Sequence, residues 1–135
     1  MIVVDTNVIA YASLIGDARG PARAVLARDR IWSAPVLWRS EFRNVLRQQM
    51  RSAQMARARA VACFDDACAL VEGREHAVET DHVLALAEVT GCTTYDCEFV
   101  ALALSLNRRL VTADRQILRS FPGVAVSPEV FAAGG

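Results

Sequence analysis

The chain contains no lysine, and all 15 of its basic residues are arginines. That absence excludes phosphate binding by a P-loop lysine, Schiff-base chemistry and a lysine general base. Arginine is plentiful, and its guanidinium forks readily onto phosphate or carboxylate oxygens. Histidine is scarce, with only His76 and His82, too few and too isolated for a histidine-built metal cage. Net charge is lacking too: 15 acidic residues balance the 15 basic ones, so no global field draws the chain toward nucleic acid or membrane. Any polyanion it binds is therefore held by a local patch or by bound metal. The four cysteines, Cys63, Cys68, Cys92 and Cys97, lack the C-x-x-C spacing of zinc sites and are expected to be reduced and buried. No apolar stretch is long and clean enough to span a bilayer, and Asp5 interrupts the first apolar run before a signal-peptide core forms. A cytoplasmic protein with no membrane partner is the expectation.

What is present is ordinary in bulk and specific in order. With 53% hydrophobic and 22% charged residues, the 135-residue chain reads as one globular domain over 1–135. It begins with an apolar strand, Ile2-Val3-Val4, that stops at Asp5 and is followed by helix-compatible sequence from Thr6 to about Ile15. Gly16-Asp17 and Gly20-Pro21 punctuate the way to a helix over Ala22–Arg28. A second strand is expected at Ile31–Ala34, with Pro35 opening the approach to a helix from about Val36 to Arg51. A fourth helix over Gln54–Val71, a brief strand at Ala77-Val78 and a helix from Thr80 to Gly91 follow. The last third holds a helix over Tyr95–Asn107, a strand over Leu110–Ala113 ending at Asp114, a short helix over Arg115–Arg119, a strand over Val124–Val126 and a turn at Ser127-Pro128. Strands alternating with helices imply an α/β fold with a central parallel sheet of four or five strands and helices on both faces. Right-handed crossovers would bring the carboxyl ends of the first and fourth strands to one rim, where such sheets hold their ligands.

Four acids stand out against this pattern. Asp5 and Asp114 each end a strand. Glu41 lies four residues after Leu37 and four before Val45, on the apolar stripe of its helix with Trp38, Phe42 and Leu46. Asp96 precedes Phe99 and Val100 by three and four residues, which aligns it with a buried face. Each aspartate alone has an ordinary alternative as a helix cap or a partner of the helix dipole. Together, with no lysine to neutralise them, they are a liability: two such charges about 5 Å apart repel by about 3 kcal/mol at an effective dielectric of about 20. A divalent cation relieves that repulsion, and carboxylate-rich oxygen ligation suits Mg²⁺ and Mn²⁺. Phosphoryl chemistry at such a cluster follows naturally. A phosphatase that begins with a strand-end Asp needs a second Asp two residues on and a later lysine; position 7 is Asn here and lysine is absent, which also excludes a receiver-type signalling domain.

Val3-Val4-Asp5-Thr6-Asn7, Ser40-Glu41, the run from Thr94-Tyr95-Asp96 through Ala103, and Leu110-Val111-Thr112-Ala113-Asp114 lie in an order and spacing that resemble the PIN-domain ribonucleases. The resemblance is strongest to the VapC-type toxins of bacterial toxin–antitoxin pairs and covers essentially the whole chain. It implies a three-layer PIN-like fold and a metal-dependent endoribonuclease using Mg²⁺ or Mn²⁺. Asp5, Glu41, Asp96 and Asp114 would be the catalytic and metal-holding quartet, and Asn7 and Thr112 supporting polar residues. Helix capping would then fall to Thr6 or Asn7. Glu98 is a further acid near the site, with pairing to the helix dipole as its alternative. The resemblance also implies an RNA substrate, a small VapB-like antitoxin bound beside the acids, and a homodimer. Arg39 and Arg43, in an i,i+4 series with Arg47 and Arg51, are candidate RNA-backbone contacts, with a solvated helix face as the alternative. Arg57 and Arg59 are equally ambiguous. The competing functions are a PIN-like module that binds RNA or protein without cutting, and an RNA-processing nuclease with no toxin role.

Overall fold

Ile2–Val4 forms β1, whose three side chains are all buried, and this strand is the centre of the sheet in the computed structural model, which describes residues 1–13 and 20–135. Five strands pair in the order β3-β2-β1-β4-β5, all parallel, with β2 at Trp32–Pro35, β3 at Glu75–His76, β4 at Leu110–Val111 and β5 at Ala125–Val126. Val3 pairs with Ser33 on one side and with Leu110 on the other. An all-parallel sheet needs cover on both faces, and eight helices among the described residues supply it. These are α1 (Thr6–Ala12), α2 (Pro21–Arg28), α3 (Trp38–Ser52), α4 (Arg57–Leu70), α5 (Thr80–Thr90), α6 (Thr94–Leu106), α7 (Arg115–Ser120) and α8 (Pro128–Ala132). Right-handed crossovers put α1–α4 on one face and α5–α7 on the other. The packing agrees: α1, α3 and α4 meet one another, α2 packs on α1 and α8, and α6 crosses β1, β2 and β4 with α5 beside it.

The chain runs β1 to β3 toward one edge, then returns to place β4 on the far side of β1. β1 and β4 therefore flank the point where strand order reverses, and the crevice at their carboxyl ends is where a doubly wound sheet accepts a ligand. Asp5 follows β1, and Thr112 and Asp114 follow β4.

The expected α/β architecture is the observed one, with five strands. Local boundaries differ in instructive ways. The third strand lies at Glu75–His76 and not at Ala77-Val78, because pairing selects it: Ala34 N–H donates to the Arg74 carbonyl and Val36 N–H to the His76 carbonyl. An edge strand two residues long carries no alternation to read. Pro35 closes β2, and α3 begins at Trp38. The fourth strand stops at Val111, short of the expected Ala113, although Thr112 N–H still donates to the Val126 carbonyl at 3.0 Å. Ser127-Pro128 opens the short helix α8, with the Ser127 hydroxyl accepting from Val130 N–H at 3.2 Å. The first helix is seen to Ala12; its expected extension to Ile15 and the Gly16-Asp17 break lie outside the described residues. Gly91 ends α5 in the left-handed region at φ 72, a conformation that costs a side-chain-bearing residue more than glycine. All four cysteines are free, and three of them are buried.

α3 is held by an aromatic cluster. Trp38, Phe42 and Leu46 recur at four-residue spacing and are buried. The Trp38 ring stacks on Phe64 of α4 at 5.6 Å between centroids, and its indole N–H donates to Glu75 Oε1 at 2.6 Å. Glu41 is thereby carried on a helix clamped to α4 and to the sheet edge.

Candidate active site

Each acid reaches the crevice by a different local device. Asp5 is the N-cap of α1: its Oδ1 accepts from Val8 N–H at 3.0 Å, while Oδ2 accepts from the Thr112 hydroxyl. Asp114 is the N-cap of α7, accepting from Ile117 N–H at 2.9 Å, and its own N–H donates to Thr112 Oγ1 at 3.0 Å. Thr112, fully buried, thus ties the two strand ends together with one hydroxyl. Glu41 Oε1 accepts from the Thr6 hydroxyl at 2.7 Å, which fixes α3 against the start of α1. Asp96 lies in the first turn of α6, where the Thr93 side chain caps its N–H at 3.1 Å. The four carboxylates line one cavity of about 250 Å³, with Asn7, Asn44, Phe99 and Ile117 among its other walls.

The electrostatics are those of uncompensated anions. Among the described residues, no arginine or histidine lines this cavity. Burial pushes the Asp5 carboxyl above its usual range, and the Asp114 charge adds to that against the pull of Thr112 and Val8. Burial also raises Glu41, opposed by the Thr6 bond and reinforced by the charges of Asp96, Asp5 and Glu98. Asp96 is raised by burial and then by the charge of Asp114. A cluster in which burial and neighbouring acids raise Asp5, Glu41 and Asp96, in a cavity whose polar lining is oxygen and amide, fits a hard divalent cation by the chemistry of the donor set. Among the described residues no three acid, histidine or cysteine side chains form a ready-made closed ligand set.

The PIN domain family profile matches residues 2–122, nearly the whole chain. The chain belongs to the PIN domain family. PIN domains are nucleases. Among solved structures, PAE2754 from Pyrobaculum aerophilum is similar at a TM-score of 0.76 and 21% identity, over 98% of this chain and 86% of that one. A toxin–antitoxin complex from Klebsiella pneumoniae aligns at a TM-score of 0.63 and 16% identity, over 95% of this chain and 98% of that one. FitAcB from Neisseria gonorrhoeae aligns at 0.60 and 18%, with the same coverage. These likenesses are of fold. Comparison with curated protein sequences finds no significant match.

Within this PIN domain, Asp5, Glu41, Asp96 and Asp114 converge as their sequence positions suggested. Thr112 supports Asp5 directly, and Asn7 lines the cavity from an exposed position. One expectation is corrected: Asp5 itself caps α1, so capping and siting in the cavity are functions of the same carboxylate, and Thr6 serves Glu41. Glu98 does not line this cavity; it lines a separate cleft with Thr94 and Val36, and its charge bears on Glu41. Arg39 and Arg43 are not brought to the acids. Arg39 forks onto Glu75 at 2.6 and 2.7 Å, and Arg43 lies over the Phe64 ring at 4.9 Å. Both work on the side of α3 that faces α4. Thr93 and Asn44 are the site residues that sequence reasoning missed, along with the bond from Thr6 to Glu41. Asn44 had a signal, lying three residues after Glu41 on the same helix face.

Proposed function

We propose that this PIN domain is a metal-dependent endoribonuclease that hydrolyses RNA phosphodiester bonds, and that it is the toxin of a type II toxin–antitoxin pair. The observation carrying the reading is the convergence of four carboxylates on one cavity that, among the described residues, no cationic side chain lines. Asp5, Asp96 and Asp114 would hold Mg²⁺ or Mn²⁺, with Glu41 completing the set directly or through water. When bound, such an ion activates water and offsets the charge that builds on the phosphoryl group. The protein's own part is orientation. Thr112 and the Val8 N–H fix both oxygens of Asp5, Thr6 fixes Glu41, and the α7 cap fixes one oxygen of Asp114. Preset carboxylates need little rearrangement as charge develops, which is where such sites gain rate.

The toxin role is supported by likeness of fold to the Klebsiella pneumoniae toxin–antitoxin complex. It implies a small VapB-like antitoxin covering the acidic crevice and a homodimer as the working form. The deciding experiment is cleavage of single-stranded RNA by purified protein with Mg²⁺ or Mn²⁺, in EDTA, and in the Asp96→Asn variant. Cleavage only by the wild type with metal supports the reading; cleavage that survives in Asp96→Asn sinks it. Growth arrest on expression alone, relieved by co-expression of a neighbouring small protein, tests the toxin role separately.

A further inference from the structure

A second cleft opens beside the acidic cavity on its β4 side. Its volume is about 310 Å³, within the range of clefts that hold small ligands, and it is walled by Val8, Tyr11, Pro21, Ala113 and Pro128. Two features join it to the acids. Asn7 lines both spaces, and Ala113 of the cleft wall is the residue immediately before Asp114. A strand of RNA with a phosphate at the carboxylates therefore has a neighbouring base within reach of the cleft.

The lining suits a base. Tyr11 is 58% exposed, an unusual position for an aromatic ring that belongs to no core cluster and lines a cleft. Flat aromatic and proline surfaces stack nucleobases irrespective of sequence, and unpaired RNA is recognised by such splayed, stacked bases. The polar groups at its edges are the Asn7 amide, which both donates and accepts, and the Glu129 carboxylate, which accepts. Groups of these two kinds read base edges. Among the described residues its lining is mostly apolar, with the Asn7 amide and the Glu129 carboxylate as its polar side chains.

We propose that this cleft is a nucleobase pocket, in which Tyr11 stacks an unpaired base next to the scissile phosphate on which the site of Asp5, Asp96 and Asp114 acts. The assignment rests on the nuclease reading and adds the subsite that grips the strand. Tyr11 touches the substrate but not the reacting atoms, so its loss acts on binding common to ground and transition states.

The test is steady-state cleavage of a mixed-sequence single-stranded RNA by wild type, Tyr11→Ala and Tyr11→Phe, paired with photocrosslinking of a 4-thiouridine-substituted RNA. Tyr11→Ala is expected to raise KM by about tenfold with kcat unchanged, and Tyr11→Phe to keep the wild-type KM. The crosslinked peptide is expected to contain Tyr11. A wild type that cuts RNA while Tyr11→Ala keeps its KM overturns the pocket and leaves the nuclease standing. If that same variant instead weakens association with a co-expressed partner protein, the cleft belongs to a protein contact and the proposal falls. A wild type that neither cuts nor crosslinks RNA removes the nuclease reading and the pocket together.

Discussion

Asp5 does two jobs whose requirements differ, and a single substitution separates them. As N-cap it needs only an acceptor oxygen for Val8 N–H, which asparagine also provides. As an anion among anions it is destabilising, because burial and Asp114 both penalise its charge. Asp5→Asn is therefore expected to abolish RNA cleavage while the metal-free protein melts at the wild-type temperature or above it, by circular dichroism. A large drop in melting temperature would show that the charge itself holds the fold. Thr112 presents the converse case, since its hydroxyl serves Asp5 and the Asp114 N–H at once. Thr112→Val leaves buried partners unsatisfied, at about 1–3 kcal/mol each, and frees Asp5 to rotate. The expected outcome is a lower urea midpoint and a lower kcat with KM unchanged, both restored by Thr112→Ser.

At the scale of the element, α3 links stability to the site. Its buried face packs Trp38 against Phe42 and stacks it on Phe64, and its first turn carries Glu41. Trp38→Ala removes a fully buried ring, at about 3–5 kcal/mol, and loosens the helix that positions Glu41. Chemical denaturation is expected to show the loss, with cleavage falling alongside. The arginines on the α4 side of α3 behave differently. Arg43 lies over Phe64 on the α4 side and away from the acidic cavity, so Arg43→Glu is expected to leave the salt slope of RNA binding unchanged. A slope reduced by about one would instead return Arg43 to the RNA path.

For the molecule as a whole, the acid cluster sets the response to pH and to metal. Burial and mutual repulsion hold Asp5, Glu41 and Asp96 above the ordinary carboxylate range, so the native state binds these protons more tightly than the unfolded chain. Their contribution is most favourable below the ordinary carboxylate values and is lost as pH rises through the raised native ones. In EDTA, the melting temperature is accordingly expected to climb as pH is lowered from neutral toward about 5. Mg²⁺ or Mn²⁺ acts on the same repulsion from the other direction. At about 100 times its dissociation constant, a single bound ion stabilises by about 2.7 kcal/mol. The gain in melting temperature is expected at neutral pH and to shrink on acidification, as protons compete for the carboxylates. A metal-induced shift that is the same at both pH values would place the ion away from these acids.

The sequence by itself determined the ingredients. Apolar runs that end in Asp5 and Asp114 specify strands that deliver a carboxylate, and the placement of Glu41 and Asp96 on apolar faces turns each of them inward. These are local patterns of period and termination, which a linear chain displays without folding. Alternation of strands and helices likewise sufficed for a parallel α/β sheet. What tertiary structure alone decided is adjacency. That β4 returns to lie beside β1, and so puts Asp5 and Asp114 at the reversal of strand order, is a fact of topology. That Thr112 bridges them, that Thr6 serves Glu41, and that Arg39 is taken by Glu75 depend on contacts across 107, 35 and 36 residues. Such partners share no local period, and only the packed sheet brings them together. The opening strand-end carboxylate was legible from the start; the hydroxyl that aims it was not.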